Sequence, residues 1–334
     1  MKFLLPMLFM MSSLSYAKTF KLMQYNVENL FDTRHDQNKE DYVYLPLNVK
    51  NRIPGMNEYC AKQGSPFNVN QCLNLDWTEP KLQRKLQNIA QVIRSYDNSG
   101  QGPDVVVIEE IENRNVLNQL ATQGLRGLYR FQVLLEGEDE RGIDIGILSK
   151  YPVISAQRYP LVINGQRVGT RGITGVALNV EGKTVAVFGN HWPSQSNPVQ
   201  FREASARMLN ELAKQSRADL IVAAGDFNTL PTDVPSPFNH LVDFVDAERE
   251  ARKVNRNLHP GTHFFKGEWS SLDHIFIHKS SKMKPRFDRF QIMNRPFIMK
   301  RDERGSGQMI PNRFDFDNAT GYSDHLPMTM EFEY

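Results

Sequence analysis

The sequence lacks the motifs of several common enzyme classes. It holds only two cysteines in 334 residues, and they have no partners at the spacing of a zinc site. It has no Gly-x-Ser-x-Gly motif, no candidate cysteine nucleophile and no glycine-rich phosphate loop. These absences disfavour a zinc module, acyl transfer by an activated nucleophile and the chemistry of nucleotide-driven kinases.

Long hydrophobic runs are also scarce. Met1–Ala17 has a basic start, a short apolar run and small residues at its end, which is the pattern of a signal peptide. The alternative is a buried N-terminal strand or helix. No later stretch approaches the roughly 20 apolar residues of a membrane span. We predict cleavage near Ala17 and a secreted or periplasmic protein without stable membrane association.

No excess of one charge is present. The chain has 40 basic and 38 acidic residues, and loss of the predicted signal peptide would remove one lysine and no acid. A neutral total argues against a protein that coats nucleic acid by bulk charge. There is no internal repeat, low-complexity tract or linker. We predict a single domain over residues 18–334, a monomer, with no protein partner implied.

The two cysteines, Cys60 and Cys72, lie in a long polar and aperiodic segment, residues 34–76. Outside the cytoplasm such a pair is most simply a disulfide that closes a loop. In the loop-entropy model this closure would contribute about 3 kcal/mol. We therefore predict an insertion over residues 34–76 that is stapled by a Cys60–Cys72 disulfide.

The spacing of apolar residues predicts a mixture of helices and strands. Helices are expected over residues 77–96, with Thr78 as N-cap and Pro80 in the first turn, and over residues 199–216. Short runs rich in β-branched residues predict strands, several of them buried on both faces. These strands are expected at 20–25, 105–108, 143–148, 184–188, 220–223 and 275–277. The mixture predicts an α/β or α+β domain with its helices outside a sheet core.

Acidic, amide and imidazole side chains stand at the ends of the predicted strands. A single carboxylate at a strand end is usually a solvated cap or turn former. Five such groups in one chain instead indicate a site built on one rim of a rigid scaffold. They are Glu109-Glu110, Asn190-His191, Asp226 with Asn228, Asp273-His274 and Ser323-Asp324-His325.

The residue types favour one chemistry. Carboxylates and amide oxygens without thiolates suit Mg²⁺, with Mn²⁺ or Ca²⁺ as alternatives. Two histidines beside such a site would supply an acid, a base or a donor to an anion near neutral pH. Hydrolysis of a phosphate ester needs such an assembly, because the metal neutralises the phosphate while a water is activated.

The order of these residues resembles the endonuclease/exonuclease/phosphatase family of the DNase I type. Its most specific pieces are Gly225-Asp226-Phe227-Asn228 and Ser323-Asp324-His325-Leu326-Pro327, and the resemblance covers roughly residues 20–334. It implies an α/β fold, a four-layered sandwich in which two packed mixed β-sheets are flanked by helices. It also implies that the site lies at one end of the sandwich.

The resemblance further implies a role for each matching residue. Glu110 would hold the divalent metal, with Asn26 close by as a ligand or orienting group. Glu110 is chosen over Glu109 because the family usually has Gln-Glu here, and the second residue binds. Asp324 would lie beside the metal. Asp226 would orient or activate the attacking water near the metal.

The remaining roles concern the phosphate and proton transfer. Asn228 would donate to the phosphate, and His325, backed by Asp273, would contact the scissile phosphate or act as a base. His191 would be the second acid–base group, although it could also be a satisfied loop histidine beside Trp192. Asn190, which precedes it, is expected to contact the substrate.

Asp144 lies between two isoleucines and is unlike a random surface acid. We predict that it orients His191 in one tautomer. The alternative is a buried acid paired with Arg141 or Arg171. Arg171 is also expected to bind substrate.

The substrate is less determined than the chemistry, but three features favour nucleic acid. Residues 279–304 contain nine Lys or Arg and three acids, residues 261–265 offer aromatic side chains near the site, and residues 190–194 resemble secreted bacterial nucleases. The family alternatives are a sphingomyelinase and a phosphoinositide or other phosphomonoester phosphatase. A lipid enzyme should expose an apolar hairpin, and only residues 42–47 offer apolar side chains for one. A non-enzymatic binding module is the remote alternative.

Overall fold

The computed structural model describes residues 17–303 and 305–334. The predicted signal peptide therefore lies outside the described residues, apart from Ala17. Nineteen strands are present in the described part of the chain. In chain order they are β1 (Thr19–Leu30), β2 (Val105–Ile111), β3 (Phe131–Leu134), β4 (Asp144–Ser149), β5 (Val153–Tyr159), β6 (Val162–Ile163), β7 (Gln166–Arg167), β8 (Ile173–Val180), β9 (Lys183–His191), β10 (Leu220–Asp226), β11 (Phe244–Asp246), β12 (His263–Phe265), β13 (Glu268–Ser270), β14 (Asp273–His278), β15 (Lys284–Pro285), β16 (Gln291–Ile292), β17 (Met299–Arg301), β18 (Met309–Pro311) and β19 (Met328–Glu333).

Seven α-helices accompany these strands in the described residues. They are α1 (Leu47–Lys50), α2 (Met56–Ala61), α3 (Pro66–Asn74), α4 (Glu79–Arg94), α5 (Arg114–Gln119), α6 (Val199–Gln215) and α7 (Ala247–Val254). None of the described helices has the length and apolar character needed to cross a membrane.

Two mixed sheets form the body of the molecule. Sheet A has the order β15-β19-β1-β2-β4-β3, with β16 also paired to β19, and sheet B has the order β11-β14-β10-β9-β8-β5. Each contains one parallel pair, β1 with β2 and β9 with β10, while its other neighbours are antiparallel. The predicted strands are all present, most of them longer than predicted.

Side chains that alternate in direction along the strands build the core on both faces of a sheet. In β10, Val222 and Ala224 belong to the large cluster between the sheets, whereas Ile221 and Ala223 pack with the α6 residue Leu209 on the outer face. Successive side chains of a strand point to opposite faces, so a strand covered on both sides is apolar throughout. Two sheets with helices outside are the sandwich that the sequence predicts.

Helix α4 covers the outer face of sheet A. Its buried residues include Leu82, Leu86 and Ile89, which recur at helical spacing. Thr78 occupies the N-cap position and Pro80 the first turn, as predicted, but the Thr78 side chain makes no capping hydrogen bond.

The segment over residues 34–76 is more ordered than its polar composition suggests. It contains α1, α2 and α3, and the predicted Cys60–Cys72 disulfide joins α2 to α3. The buried Lys50 ammonium ties this unit together through the carbonyls of Cys72 and Leu75, at 3.1 and 2.7 Å. Helices of four to nine residues are too short to show a hydrophobic period, which is why the sequence pattern did not indicate them.

Candidate active site

A cavity of about 560 Å³ opens at the rim where the two parallel strand pairs end. Because β1, β2, β9 and β10 all run towards this rim, the residues at their C-terminal ends meet there. Six of the predicted site residues line the cavity: Glu110, Arg171, His191, Asp226, Asn228 and His325. The sequence-predicted cluster is therefore largely brought together.

Asn26, Glu110 and Asp226 form an acidic group on one wall. The Asn26 amide nitrogen lies 3.5 Å from Glu110 Oε1 and 3.2 Å from Asp226 Oδ2, and the Asn29 backbone N–H donates to Glu110 Oε2 at 2.9 Å. His191 Nε2 stands 3.9 Å from Glu110 Oε1 and 3.8 Å from Asp226 Oδ2. The carboxylates of Glu110 and Asp226, one from each sheet, are hard oxygen donors that suit a Mg²⁺-type ion. Asn26 faces them with its amide nitrogen, and its Oδ1 accepts from the Glu28 backbone N–H at 3.0 Å.

The backbone is strained next to these side chains. Glu28, Asn29 and Glu110 have φ values of 55°, 57° and 65°, a region that non-glycine residues rarely adopt. The register of β2 shifts on both sides at Glu110, which marks a bulge. The bulge takes Glu110 out of the strand's alternation and turns its side chain to the rim.

An aspartate–histidine pair forms the opposite wall. His325 Nδ1 lies 2.7 Å from Asp273 Oδ2, and the Gln24 amide donates to Asp273 Oδ1. Burial opposes both charges, but the ion pair outweighs it, so the pKa of His325 is raised and the pKa of Asp273 is lowered. His325 is therefore an imidazolium whose Nε2 edge is left for the cavity.

His191 carries no charge. Burial, followed by the positive charges of Arg171, Arg141 and His325, lowers its pKa well below the ordinary value. Its Nδ1 has no hydrogen-bond partner among the described residues. His191 and His325 thus differ in protonation, a difference that separates acid from base in many active sites.

Asp226 and Asn228 lie on the turn that leaves β10. Burial raises the pKa of Asp226 to about 7, and its Oδ1 accepts from the Asn228 backbone N–H at 2.8 Å. Asn228, at φ 47°, donates one side-chain hydrogen to the Trp192 carbonyl at 3.0 Å. Because a primary amide has two hydrogens, the second remains for a ligand in the cavity.

Arg171 is the predicted cation of the cavity. Its guanidinium donates to Asp139 Oδ2 at 2.7 Å and to the Trp192 carbonyl at 3.1 Å. Arg141, which the sequence pointed to only as a partner for Asp144, also lines the cavity and lies near Asp139. The cavity thus has two guanidinium groups close to its acidic wall.

The structure does not form either contact proposed for Asp144. Its Oδ1 accepts from the Gly137 backbone N–H at 2.8 Å, and its Oδ2 has no partner among the described residues. The two arginines named as alternative partners both contact Asp139 instead. Asp144 therefore fixes the loop at Gly137 rather than His191.

Asn190 is also outside the cavity. Its amide donates to the Phe188 carbonyl at 2.8 Å and its Oδ1 accepts from Trp192 Nε1 at 2.9 Å, and it is fully buried. Adjacent residues of a strand face opposite sides, so Asn190 and His191 cannot both face the substrate. The predicted substrate contact of Asn190 is replaced by an internal one.

Asp324 falls in a different group from Glu110. Potential ligand atoms of His263, Asp324 and His325 all lie within 4.8 Å of one another, and Arg313 approaches Asp324 Oδ2 at 3.9 Å. These three could hold a metal, although His325 Nδ1 is already bonded to Asp273.

His263 is the cavity residue that sequence reasoning missed. Its ring lies 4.9 Å from the His325 ring, and the two residues form an isolated β-bridge. The only sequence signal was its place in the run at residues 261–265, in which Phe264 and Phe265 were the aromatic residues predicted to lie near the site. Phe264 packs on Trp269, whereas Phe265 is 62% exposed.

The lysine- and arginine-rich segment over residues 279–304 begins far from the cavity. Strand β14 begins at the rim with Asp273 and ends at His278, so Lys279 and Lys282 follow its distant end. Lys284 pairs with Glu333 at the distant end of β19. The segment predicted to contact phosphates is therefore not a continuous surface at the site.

Comparisons with known proteins agree with this fold. Residues 69–334 match the model of the Endonuclease/Exonuclease/phosphatase family. No curated protein sequence matches the chain. An endonuclease/exonuclease/phosphatase family protein from Bacteroides thetaiotaomicron is 15% identical, with a TM-score of 0.57 and 96% of each chain covered.

Two further solved structures share the fold at similar distance. Sphingomyelinase C from Streptomyces griseocarneus is 15% identical, with a TM-score of 0.54 over 94% of this chain and 99% of its own. TDP2 of D. rerio, complexed with a single-strand DNA product, is 14% identical, with a TM-score of 0.54 over 95% and 99%. Members of this family are usually metal-dependent phosphoester hydrolases. The family match spans most of the sequence, and the chain belongs to the endonuclease/exonuclease/phosphatase family.

Proposed function

We propose that this protein is a secreted, metal-dependent phosphodiesterase that hydrolyses DNA or RNA. The observation that carries the proposal is the cavity itself. One wall presents the carboxylates of Glu110 and Asp226, and the other presents the imidazolium of His325. A phosphodiester between these walls would meet a metal site on one side and a proton donor on the other.

Glu110 would hold the ion, with Asn26 and Asp226 beside it. The metal, when bound, would neutralise phosphate charge and lower the pKa of a water. Asp226, whose pKa burial raises to about 7, would orient that water and receive its proton. The strain at Glu110 supports a functional role, because such backbone persists only where the surroundings enforce it.

The imidazolium of His325 would contact the scissile phosphate. Asp273 holds its Nδ1, so Nε2 would be presented in one orientation and in the charged form. Asn228 would donate its free amide hydrogen to the same phosphate. Neutral His191, on the acidic wall, would be the second proton-transfer group. Arg171 would contribute charge that attracts the phosphate to the cavity.

The rim supports nucleic acid over lipid. Phe265 stands exposed beside His263, whose ring lies 6.2 Å from it at 28°, so a base could stack there. The adjacent β17–β18 hairpin presents the exposed cations Lys300 and Arg301, and its sequence from 302 to 308 is entirely polar. A hairpin that enters a membrane should be apolar. The TDP2 complex with a DNA product shows that the fold accommodates a single strand in that protein.

A substrate panel tests the proposal. Duplex DNA, single-stranded DNA, RNA, sphingomyelin and an inositol phosphate would be offered with Mg²⁺, Mn²⁺ or Ca²⁺, and with chelator. We expect cleavage of at least one polynucleotide, with metal only. Survival of all polynucleotides while the lipid or the sugar phosphate is cleaved would contradict the proposal.

Two variants guard against a contaminating nuclease. His325→Gln should lose activity in the same preparation, whereas His240→Gln should keep it. His240 contacts the surface residue Arg207 and is not part of the cavity. Sequencing the N-terminus of protein collected outside the cytoplasm would test the predicted cleavage near Ala17. A mature chain that still begins at Met1 would contradict secretion by this route.

A further inference from the structure

Arg141 is a cavity residue to which the proposed reaction assigns no role. It lines the same cavity as Glu110 and His325. Its side chain is 56% exposed, and its Nε lies 3.6 Å from Asp139 Oδ1, which is too far for a hydrogen bond. Among the described residues, Arg141 donates a hydrogen bond only from its backbone N–H, to that same oxygen at 3.0 Å. The five N–H donors of the guanidinium are therefore left for a ligand.

Arg171, the other arginine of the cavity, is bound to the protein instead. Its side chain is only 7% exposed, and it donates to Asp139 Oδ2 at 2.7 Å and to the Trp192 carbonyl at 3.1 Å. Two guanidinium groups thus stand beside one carboxylate, which the buried one holds at hydrogen-bond distance. Arg141 is left without a hydrogen-bonded acid in the described part of the chain.

The backbone that carries Arg141 is anchored on both sides. From the disulfide-stapled insertion, the Lys39 ammonium donates to the carbonyls of Gly137 and Asp139 at 3.2 and 2.9 Å. From β4, the Asp144 carboxylate accepts from the Gly137 N–H at 2.8 Å. A ligand that meets a cation on a fixed backbone loses less entropy on binding than one that must order a loop. The structure therefore holds the Arg141 backbone in place while its guanidinium stays free.

Arg141 lies near the catalytic group but at the mouth of the cavity. Its positive charge is among those that, after burial, lower the pKa of His191. The His191 side chain is only 4% exposed, whereas that of Arg141 is more than half exposed. The scissile phosphate would already be contacted by His325 and Asn228. A polynucleotide leaves the cavity on both sides of the scissile bond, and it carries a further phosphate on each side.

Most exposed arginines are simply solvated, and Arg167 is an example in the same region. Its side chain is 67% exposed, and it pairs with Glu138 at 3.0 Å. Arg167 does not line the cavity, whereas Arg141 does. Arg141 also differs in having no acid at hydrogen-bond distance. These two differences indicate a ligand for Arg141 and make Arg167 its matched control.

We propose that Arg141 binds the phosphate next to the scissile one in a polynucleotide substrate. The planar guanidinium suits this contact, because its N–H groups match two oxygens of one phosphate. Only a polynucleotide offers a second phosphate, so the contact would make the enzyme prefer it to a small diester. This inference rests on the proposed function and identifies a residue that determines substrate choice.

Kinetics on two substrates test the contact. An oligothymidylate has flanking phosphates, whereas bis(p-nitrophenyl) phosphate has only the scissile one; an oligouridylate would be used if RNA is the polynucleotide cleaved. Arg141→Gln should raise KM for the oligonucleotide by about 10-fold or more, because a charge-assisted hydrogen bond is lost. It should change hydrolysis of the small diester by less than about 2-fold. Arg167→Gln should leave both substrates unchanged.

Binding without turnover provides a second readout. In the Glu110→Gln chain with chelator, the Kd of a fluorescent oligonucleotide would be measured over a range of salt concentrations. Adding Arg141→Gln should reduce the slope of log Kd against log salt concentration by about 0.7, the value for one phosphate contact on a single strand. Arg141→Lys should restore that slope because it keeps the charge, but it should restore KM only in part because it lacks the planar fork.

The outcomes separate this inference from the proposed function. If the wild-type chain cleaves the oligonucleotide while Arg141→Gln and Arg167→Gln behave alike, the role of Arg141 is overturned and the phosphodiesterase stands. Equal losses on the oligonucleotide and the small diester would move Arg141 to the scissile phosphate and would also overturn it. A chain that hydrolyses the small diester but neither binds nor cleaves DNA or RNA would contradict both.

Discussion

The ion pairs at the two ends of the sandwich differ in their exposure to solvent. At the rim, Asp273 and His325 form a buried pair on one wall of the cavity. At the distant end, Lys282 with Asp219 and Lys284 with Glu333 are solvent-exposed pairs, with both lysine side chains more than 70% exposed. Exposed pairs contribute at most about 1 kcal/mol, whereas charges withdrawn from water interact strongly.

The strands themselves do not create this difference. The central strands β10 and β14 are mostly apolar, and each carries polar residues at the end that lies at the rim. What differs is burial. It raises the pKa of Asp226, lowers the pKa of His191, and removes the solvent that would otherwise weaken the Asp273–His325 pair, whereas the distant pairs stay close to solvent. The number of charged residues in the sequence therefore does not indicate which of them interact strongly in the folded protein.

The largest expected effect comes from the acidic wall. Glu110→Gln should reduce kcat/KM for a polynucleotide by about 10³-fold or more, because the metal would lose its anionic ligand. Its neighbour provides the control: Glu109 is buried between the sheets and accepts from Gln24, a bond that the amide oxygen of a glutamine side chain would preserve. Glu109→Gln should change kcat/KM little. If the Glu109 variant were the inactive one, the two roles would have to be exchanged.

The next largest effect is expected at one of two buried aspartate–histidine pairs and not at the other. Asp273→Asn should lower kcat by about 10²- to 10³-fold, since His325 would lose the partner that keeps it charged and oriented. Asp246 lies 3.5 Å from His274 but outside the cavity. Asp246→Asn should lower the melting temperature and leave kcat unchanged. Equal losses of kcat would mean that fold stability, not position in the cavity, explains the Asp273 result.

A smaller effect is expected at the rim. Phe265→Ala should raise KM for a single-stranded oligonucleotide by about 5- to 100-fold, because stacking on an aromatic ring contributes about 1–3 kcal/mol per base. Hydrolysis of a small phosphodiester that has no base should be unaffected. A matched change at Phe67, which is 67% exposed in the segment over residues 34–76, should alter neither substrate. An unchanged KM for the oligonucleotide would remove Phe265 from the binding surface.

The smallest effect is expected at the distant end. Lys282→Glu with Lys284→Glu should leave KM and its salt dependence within about 2-fold, because these lysines contact surface acids away from the cavity. Lys300→Glu with Arg301→Glu, on the hairpin beside the cavity, should instead reduce the steepness of the salt dependence. A stronger response to the distant substitutions would place the nucleic acid on the other end of the molecule.

Local patterns carried the prediction of the fold. The apolar spacing of α4 and the β-branched run of β2 report on burial within a few residues, so helices and strands were predictable one by one. The motifs at Asp226 and His325 could likewise be recognised, because the chemistry requires particular side chains at strand ends. Local patterns do not show which strands are neighbours in a sheet. Strand β1, near the start of the chain, pairs with β2 on one side and with β19, at the end of the chain, on the other.

The errors at the site share one physical origin. Asn190 and Asp144 are polar residues in apolar strands. Asn190 was assigned to the substrate because it precedes His191, and Asp144 was assigned to His191 because an acid between two isoleucines is unlike a random surface residue. Side-chain direction and the partners across the fold decided otherwise, through Trp192 for Asn190 and Gly137 for Asp144. His263 joined the cavity because a hairpin lays it against His325, a residue far along the chain.

The family, the types of side chain at the rim and the general chemistry they can perform follow from the order of residues alone. Their charge states were decided by the folded arrangement. Neutral His191 and charged His325 are the same residue type, and both are buried. They differ because Asp273 bonds His325 and outweighs its burial, whereas burial, followed by the charges of Arg171 and Arg141, lowers the pKa of His191. Electrostatic environment depends on distance in space and on exclusion of water, and neither is encoded in the spacing of residues along the chain.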